Sequence, residues 1–191
     1  MKGFGFQVGY AATAMARVPP FELTLEDQRA ELDRLRSRLS IAVVRAKNPF
    51  NVGAIIRVAH SFLVREIFLI GTEPFYERAA MGMQRYEHIV ECPDETAFLQ
   101  AIAGRPLLGV ERDHADSTIW QVDYPPDALL LFGNEDEGIP AELLRACSCI
   151  VAIPMYGINH SYPVAVAVGM VLCEWARRCD PRGARRLDGA L

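Results

Sequence analysis

The feature that most constrains the fold is the stretch at residues 150–178, which reads IVAIPMYGINHSYPVAVAVGMVLCEWARR. Residues 149–153 are almost continuously apolar, which predicts a buried strand. Ser161 is a good helix N-cap and Pro163 is tolerated only in a first turn, so we expect a long helix from close to Tyr162. The intervening loop is rich in turn-forming and polar residues. It is either a ligand loop or the ordinary connection of an α/β domain.

Strand–loop–helix units like this one recur along the chain. Apolar segments predict strands at 41–44, 66–70, 88–92, 106–111 and 128–132, and at most a short piece of strand at 118–120 within the polar loop 112–127. Helical patterns follow at 52–63, 94–103 and 140–147. This alternation predicts an α/β fold with a mainly parallel sheet covered by helices on both faces. Ligands of such sheets bind beyond the carboxyl ends of the strands.

The chain has 191 residues, of which 51 % are hydrophobic, and this suits one domain, expected at 40–179. Before it we expect a disordered leader at 1–20 and a helical extension at 21–39, in which Thr24 and Asp27 resemble a capping box and residues 24–39 an amphipathic helix. A basic tail follows at 180–191. No apolar run approaches the roughly eighteen residues that cross a bilayer, so no membrane partner is expected.

Cysteine usage and charge narrow the class of protein further. The five cysteines show no CxxC pairing, so we expect neither a metal site nor a disulfide framework, and a cytoplasmic location fits best. The net charge of −4 argues against a protein that coats nucleic acid nonspecifically, although RNA stays open as a substrate. Basic side chains form two clusters in the sequence, and each cluster either binds phosphates or lies solvated on the surface. Their members are Arg34, Arg36, Arg38, Arg45 and Lys47, and Arg177, Arg178, Arg182, Arg185 and Arg186.

Three loops rich in glycine or polar groups follow strand ends, at 47–57, 133–138 and 154–161. In the first, Asn51 lies at a helix start, where free N–H groups favour an anion such as phosphate. Arg57 either anchors phosphate or makes a structural salt bridge. In the second, Gly133 lets a flat ligand approach the backbone, and it precedes Glu135 in an acidic turn.

The segments NVGAIIR (51–57), LLLFGNEDEGI (129–139) and IPMYGINHSYPVAVAVG (153–169) resemble the three motifs of the SpoU/TrmH-type branch of the SPOUT RNA methyltransferases. The resemblance extends over about residues 41–178, with the order and spacing of the motifs kept. It implies a homodimeric enzyme with a deep trefoil knot at its C-terminal end. Such an enzyme binds S-adenosylmethionine in the knot and methylates a ribose 2′-hydroxyl of tRNA or rRNA.

The resemblance also implies site residues. Asn51, Arg57 and Glu135 take the places of the family's polar residues in the first two motifs and are the candidate catalytic residues. A guanidinium stays protonated, with a pKa above about 12, so we expect Arg57 to clamp phosphate and activate the hydroxyl rather than act as the base. The candidate cofactor-binding residues are Val110, Gly133, Ile153, Met155, Ser161 and Tyr162.

The third motif departs from the family pattern. Where the family commonly reads Ser-Leu-Asn-Val-Ser-Val-Ala, this chain has Pro163 and Ala165 in place of the amide and the second hydroxyl. Asn159 is a candidate to replace those polar contacts, and His160 is either a second candidate or an exposed loop residue. The departure leaves a second hypothesis open, a noncatalytic RNA- or S-adenosylmethionine-binding protein. A nucleotide-dependent oxidoreductase is disfavoured, because no GxGxxG follows the first strand.

Overall fold

The computed structural model describes residues 23–45 and 48–180 of the chain. The predicted leader at 1–20 lies outside these residues, as do Lys47 and all of the predicted tail after Asp180. The helices are α1 (Leu25–Asp33), α2 (Pro49–Phe62), α3 (Glu95–Ile102), α4 (Ala141–Ala146) and α5 (Val164–Cys179), with short 3₁₀ helices at Glu77–Ala80 and Met83–Arg85. The strands are β1 (Ser40–Val44), β2 (Ile67–Ile70), β3 (Ile89–Cys92), β4 (Leu107–Val110), β5 (Ser117–Thr118), β6 (Leu129–Phe132) and β7 (Cys149–Ala152). None of the described helices has a stretch long and hydrophobic enough to span a bilayer.

The described strands form one sheet in the order β3-β2-β1-β6-β4-β7-β5, and every neighbouring pair is parallel. The predicted mainly parallel sheet is therefore confirmed. Strands β1, β2 and β6 are buried along their whole length, which explains their continuous apolar sequences. Strand β5 at the edge is only two residues long and begins one residue before the predicted piece.

Helices cover both faces of the sheet, as the alternation predicted. On one face, α2 and α5 pack into a core that includes Ile56, Trp175 and Phe132. On the other face, α3 and α4 contribute Phe98 and Leu143 to a second core. Successive residues of each central strand alternate between these cores, as the two-residue period of a strand requires.

Helix α1 begins where the capping box predicted. The Thr24 hydroxyl accepts a hydrogen bond from the Asp27 backbone N–H at 3.2 Å. The helix ends at Asp33, so the prediction of a helix to residue 39 is wrong. Beyond that end Arg36 turns its buried guanidinium to the Glu87 carboxylate, 2.8 Å away. This tertiary contact draws the chain towards β1 and out of the helical path.

Helix α5 begins at Val164, with Pro163 as its N-cap, so the prediction of Ser161 at the cap is wrong. Pro163 is extended, with φ −53° and ψ 135°, and it makes no side-chain cap hydrogen bond. A residue before proline is disfavoured from helical conformation, which keeps Tyr162 out of the helix. The helix start therefore shifts two residues along the chain.

Candidate active site

A cavity of about 510 Å³ opens at the carboxyl ends of β4, β6 and β7. Its walls come from three loops, each following one of these strands, and from the first turns of α5. Because parallel strands end at the same edge of a sheet, segments far apart in sequence meet here. The cavity lies where the sequence predicted a ligand site.

The loop after β6 is a tight turn closed by its own backbone. Asn134 and Gly138 form a bridge of two backbone hydrogen bonds, at 3.0 and 3.2 Å. The Asn134 side-chain oxygen accepts from the backbone N–H groups of Asp136 at 3.0 Å and Glu137 at 2.7 Å. A Cβ at Gly133 would lie 2.2 Å from the Gly138 carbonyl carbon. Gly133 is therefore required by the turn itself, a different reason from the ligand approach that the sequence suggested.

A carboxylate outside the three sequence motifs lies beside this turn. Glu111 follows β4, and its side chain accepts hydrogen bonds from the backbone N–H of Arg112 at 2.8 Å and of Ile139 at 3.4 Å. Both Glu111 and Asp113 line the cavity. The signal in the sequence was an acidic residue directly after a buried apolar strand, at the edge where ligands collect.

The loop after β7 is tied at both ends. The Tyr162 hydroxyl donates to the Pro154 carbonyl at 3.4 Å, and one Arg112 Nη donates to the His160 carbonyl at 2.6 Å. The same guanidinium makes two bonds to the Asp113 carboxylate, at 2.8 and 3.0 Å. The hydrogen bond from Arg112 holds the pKa of the exposed Asp113 carboxyl below its usual value. The Arg112–His160 hydrogen bond joins the loop after β4 to the loop after β7 at one wall of the cavity.

The first motif reaches the cavity rim through Asn51. Asn48 caps α2, its side chain accepting from the Phe50 backbone N–H at 3.1 Å. One turn in, the Asn51 side-chain amide donates to a Glu135 carboxylate oxygen. Gly53 lies where a Cβ would stand 2.7 Å from the Ala79 Cβ, so it allows the first 3₁₀ helix to pack on α2.

The structure brings most of the predicted site residues together. Glu135 and all six predicted cofactor-binding residues line the cavity, and Asn51 contacts Glu135. Arg57 does not line the cavity. It is exposed, and its guanidinium makes no ion pair or hydrogen bond within residues 23–45 and 48–180. Six residues along a helix place Arg57 about 9 Å from Asn51 and roughly a third of a turn around the axis.

The two predicted basic clusters are largely engaged within the chain. Arg36 and Arg45 are buried, and Arg45 donates to the Glu73 carbonyl at 2.7 Å. At the other end, Arg178 donates to the Val122 carbonyl at 2.8 Å. Structural contacts therefore account for these arginines, whereas Lys47, Arg182, Arg185 and Arg186 lie outside the described residues.

Residues 38–173 match the sequence model of the SpoU rRNA methylase family. The chain belongs to the SpoU rRNA methylase family. The match covers most of the 191 residues and contains all three motifs. The family membership expected from the motifs is confirmed.

The chain is also similar to individual members of the SpoU family. The chain is 25 % identical to the tRNA (guanosine(18)-2′-O)-methyltransferase of Aquifex aeolicus, over 85 % of this chain and 80 % of the relative. It is 28 % identical to the 23S rRNA (uridine(2479)-2′-O)-methyltransferase of Streptomyces viridochromogenes, over 84 % and 61 %. Other curated relatives are longer. The chain spans 54 % of the length of a tRNA/rRNA methyltransferase from Mycolicibacterium vanbaalenii and 10 % of the length of a mouse tRNA (guanosine(18)-2′-O)-methyltransferase.

The SpoU fold is shared with solved structures. An AdoMet-bound rRNA methyltransferase from Sinorhizobium meliloti is 31 % identical with a TM-score of 0.67, and the match covers 78 % of this chain and 60 % of that one.

Proposed function

We propose that this chain is an S-adenosylmethionine-dependent methyltransferase that acts on a ribose 2′-hydroxyl of tRNA or rRNA. The observation that carries the proposal is the cavity, in which the second and third motifs converge while Asn51 of the first motif contacts Glu135 at the rim. The 2′-O-methyltransferase activities of the Aquifex and Streptomyces relatives support the same reaction.

The cavity suits S-adenosylmethionine in size and lining. Its volume of about 510 Å³ falls within the range of about 300–1,000 Å³ typical of small-ligand sites. Apolar side chains such as Ile153 and Val164 offer a surface for a purine, while the Glu111 carboxylate favours a cation. When bound, the cofactor supplies an electrophilic methyl group on a sulfonium. The residues that would hold it are Val110, Gly133, Ile153, Met155, Ser161 and Tyr162.

The Asn51–Glu135 contact fixes the orientation of the amide. An ionised carboxylate only accepts hydrogen bonds, so Asn51 must present its NH₂ group to Glu135. The amide oxygen is then directed away from Glu135, where it is able to accept a hydrogen bond from a ribose hydroxyl. Positioning of this kind accounts for a large part of catalysis, since correct placement of two reactants is worth about 7–11 kcal/mol.

Arg57 is proposed to act on the cavity of a second copy. Within one chain it is exposed and lies outside the cavity lining, with its charge unpaired in the described part of the chain. A guanidinium offers two parallel N–H groups that match a phosphate, so Arg57 would clamp the RNA backbone next to the reacting hydroxyl.

A homodimer also explains an exposed apolar groove. Between α5 and the segment after β5, Trp120 is 50 % exposed and Val166 is 48 % exposed. They line a shallow groove with Ile119, Met170 and Cys173. Covering this surface with a second copy would remove apolar side chains from water.

Mixing two inactive variants tests the shared site. Arg57→Ala disables the clamp of one copy, and Glu135→Ala disables the cavity of the other. If the sites are shared, a mixed dimer contains one intact site and the mixture regains methyl transfer. If activity stays lost although mixed dimers have formed, Arg57 and the cavity of the same chain belong to one site.

We also propose the trefoil knot at the C-terminal end. Its support is that the segment between β4 and β6 holds the C-terminal stretch at two places. Arg112 reaches the His160 carbonyl at 2.6 Å, and Arg178 of α5 reaches the Val122 carbonyl at 2.8 Å. A crystal structure that traces residues 107–179 without threading would refute the knot.

Calorimetry and methyl incorporation test the function together. We expect the protein to bind S-adenosylmethionine and to transfer labelled methyl groups to bulk tRNA or rRNA from cells that lack the gene. Sites mapped on that RNA would carry 2′-O-methyl groups. A protein that neither binds the cofactor nor modifies RNA would overturn the proposal.

The second candidate function is a noncatalytic RNA- or cofactor-binding protein. It is favoured by Pro163, which starts α5 without a side-chain cap, and by Ala165, which lacks the family's hydroxyl. Cofactor binding without methyl incorporation into either class of RNA would support this candidate over the enzyme.

A further inference from the structure

Two aromatic rings are exposed beside the first motif. Phe50 is 56 % exposed and Tyr76 is 39 % exposed. Their ring centroids lie 4.8 Å apart with the planes tilted by 49°. We call this pair the aromatic platform. Neither ring belongs to the two hydrophobic cores of the described chain, so packing of the fold does not account for them.

The platform is held rigidly by backbone contacts. The Tyr76 N–H donates to the Pro49 carbonyl at 2.8 Å, which joins the segment before the first 3₁₀ helix to the start of α2. Gly53 permits this approach, because a Cβ there would lie 2.8 Å from the Tyr76 carbonyl oxygen. Phe50 is itself in the first turn of α2, whose cap Asn48 bonds the Phe50 N–H. The rings are therefore exposed on a fixed backbone.

Unpaired positive charge lies near the platform and along α2. Arg78 is two residues after Tyr76, and Arg57 is one helical turn after Gly53 on α2. Arg85, in the second 3₁₀ helix, lies towards the C-terminal end of α2, where the ring centroid of its neighbour Tyr86 is 5.8 Å from that of His60. All three are exposed, and none of their guanidinium groups has an ion pair among the described residues. Residues 74–86 contain one carboxylate, Glu77. In a chain of net charge −4, this face is suited to polyanion binding.

The platform also adjoins the candidate chemistry. Phe50 precedes Asn51, whose side chain contacts Glu135 at the cavity rim. A nucleobase on the platform would therefore place its own ribose, or that of a neighbouring nucleotide, next to Asn51. Aromatic side chains bind unpaired bases by stacking, whichever base is presented.

We propose that Phe50 and Tyr76 stack an unpaired nucleobase of the RNA substrate, with Arg78 and Arg85 binding its backbone. The inference rests on the proposed function and narrows the substrate to an unpaired nucleotide, such as one in a loop or a single strand. Duplex RNA, whose bases are stacked on each other, does not offer such a base.

Binding of a short single-stranded RNA that contains 2-aminopurine tests the platform. Stacking quenches the fluorescence of this base, and a duplex of the same sequence serves as the comparison. We expect Phe50→Ala and Tyr76→Ala each to weaken single-strand binding about tenfold and to reduce the quenching. Phe50→Trp and Tyr76→Phe keep a ring and should retain both, whereas Phe50→Leu, which keeps only an apolar side chain, should not.

Arginine variants provide the charge test. Arg78→Ala and Arg85→Ala should weaken binding and lower its salt dependence, without changing the quenching at saturation. Arg65→Ala is the charge control: Arg65 is exposed and comes before β2, at the amino ends of the strands, and its Nε lies 3.8 Å from the Glu66 carboxylate. An equal loss from Arg65→Ala would show that overall charge, rather than this face, binds RNA.

The outcomes separate the platform from the proposed function. Normal methyl transfer by Phe50→Ala, with an unchanged KM for RNA, would overturn the platform and leave the enzyme intact. If the parent protein bound RNA through the platform but transferred no methyl group, the proposed enzyme function would be overturned and the platform would be kept. Sedimentation completes the test, because a Phe50→Ala protein that no longer self-associates would assign the rings to a second copy. Absence of single-strand binding by the parent would also overturn the platform.

Discussion

Replacing Gly133 by alanine probes the turn that forms one wall of the cavity. A Cβ at this position would lie 2.2 Å from the Gly138 carbonyl carbon and 2.4 Å from the Ile139 nitrogen. These neighbours are backbone atoms, so no side chain is able to rotate out of the way. The turn would have to retreat by roughly 1 Å, which disturbs the bridge between Asn134 and Gly138.

We expect Gly133→Ala to lower the free energy of unfolding by about 3 kcal/mol, at the upper end of overpacking effects. For a chain of this length such a loss lowers Tm by about 6–12 °C. Because the turn lines the cavity, affinity for S-adenosylhomocysteine should also fall. Thermal unfolding by circular dichroism and isothermal calorimetry well below Tm measure the two effects separately.

Gly169→Ala is the matched control. Gly169 lies inside α5, and a Cβ there would meet only the Val58 side chain, at an ordinary 3.8 Å. Alanine in a helix interior is favoured over glycine, so stability should rise by about 0.5–1 kcal/mol. If Gly133→Ala kept its Tm to within about 2 °C and bound S-adenosylhomocysteine normally, the steric argument would be refuted.

Three further predictions concern other parts of the molecule. Glu135→Gln should reduce the rate of methyl transfer by up to about a hundredfold while cofactor affinity stays the same. The reason is that a glutamine at this position both donates and accepts, so it no longer fixes the orientation of the Asn51 amide. An unchanged rate of methyl transfer would contradict this. Glu87→Ala removes a buried carboxylate that pairs with Arg36 and His60 and leaves Arg36 only the Asp33 carboxylate as an ionic partner, so it should cost about 1.5–3 kcal/mol of stability in a denaturant titration; a loss below about 1 kcal/mol, typical of a surface pair, would be inconsistent with it. Burial raises the pKa of the Cys147 thiol to about 11, so its alkylation at pH 8 should be slower than that of free cysteine and should accelerate as pH rises; equal rates in mass spectra would count against it.

The strands could be predicted because a parallel sheet buries both of its faces. Strand β6 is apolar at every position, and its four residues are all buried. The convergence of the second and third motifs could be predicted as well, since parallel strands end at one edge. Both inferences use information that is local in sequence, and the predicted boundaries differ from the observed ones by one or two residues.

Contacts between distant segments were harder to predict. The shortened α1 depends on Arg36 meeting Glu87, which is 51 residues away. Glu111 joins the site because its carboxylate bonds the Ile139 N–H, 28 residues further on. No periodicity in the sequence encodes such pairs, since their meeting depends on the order of the strands in the sheet.

By itself, the sequence determined the layered α/β class, the edge of the sheet that carries the site and the chemical types of its residues. Only the tertiary structure decided that Asn51 reaches Glu135 while Arg57, on the same helix, lies outside the cavity lining. The physical reason is that hydrophobic periodicity specifies which face of an element is buried. Which elements become neighbours is decided by the packing of the whole chain.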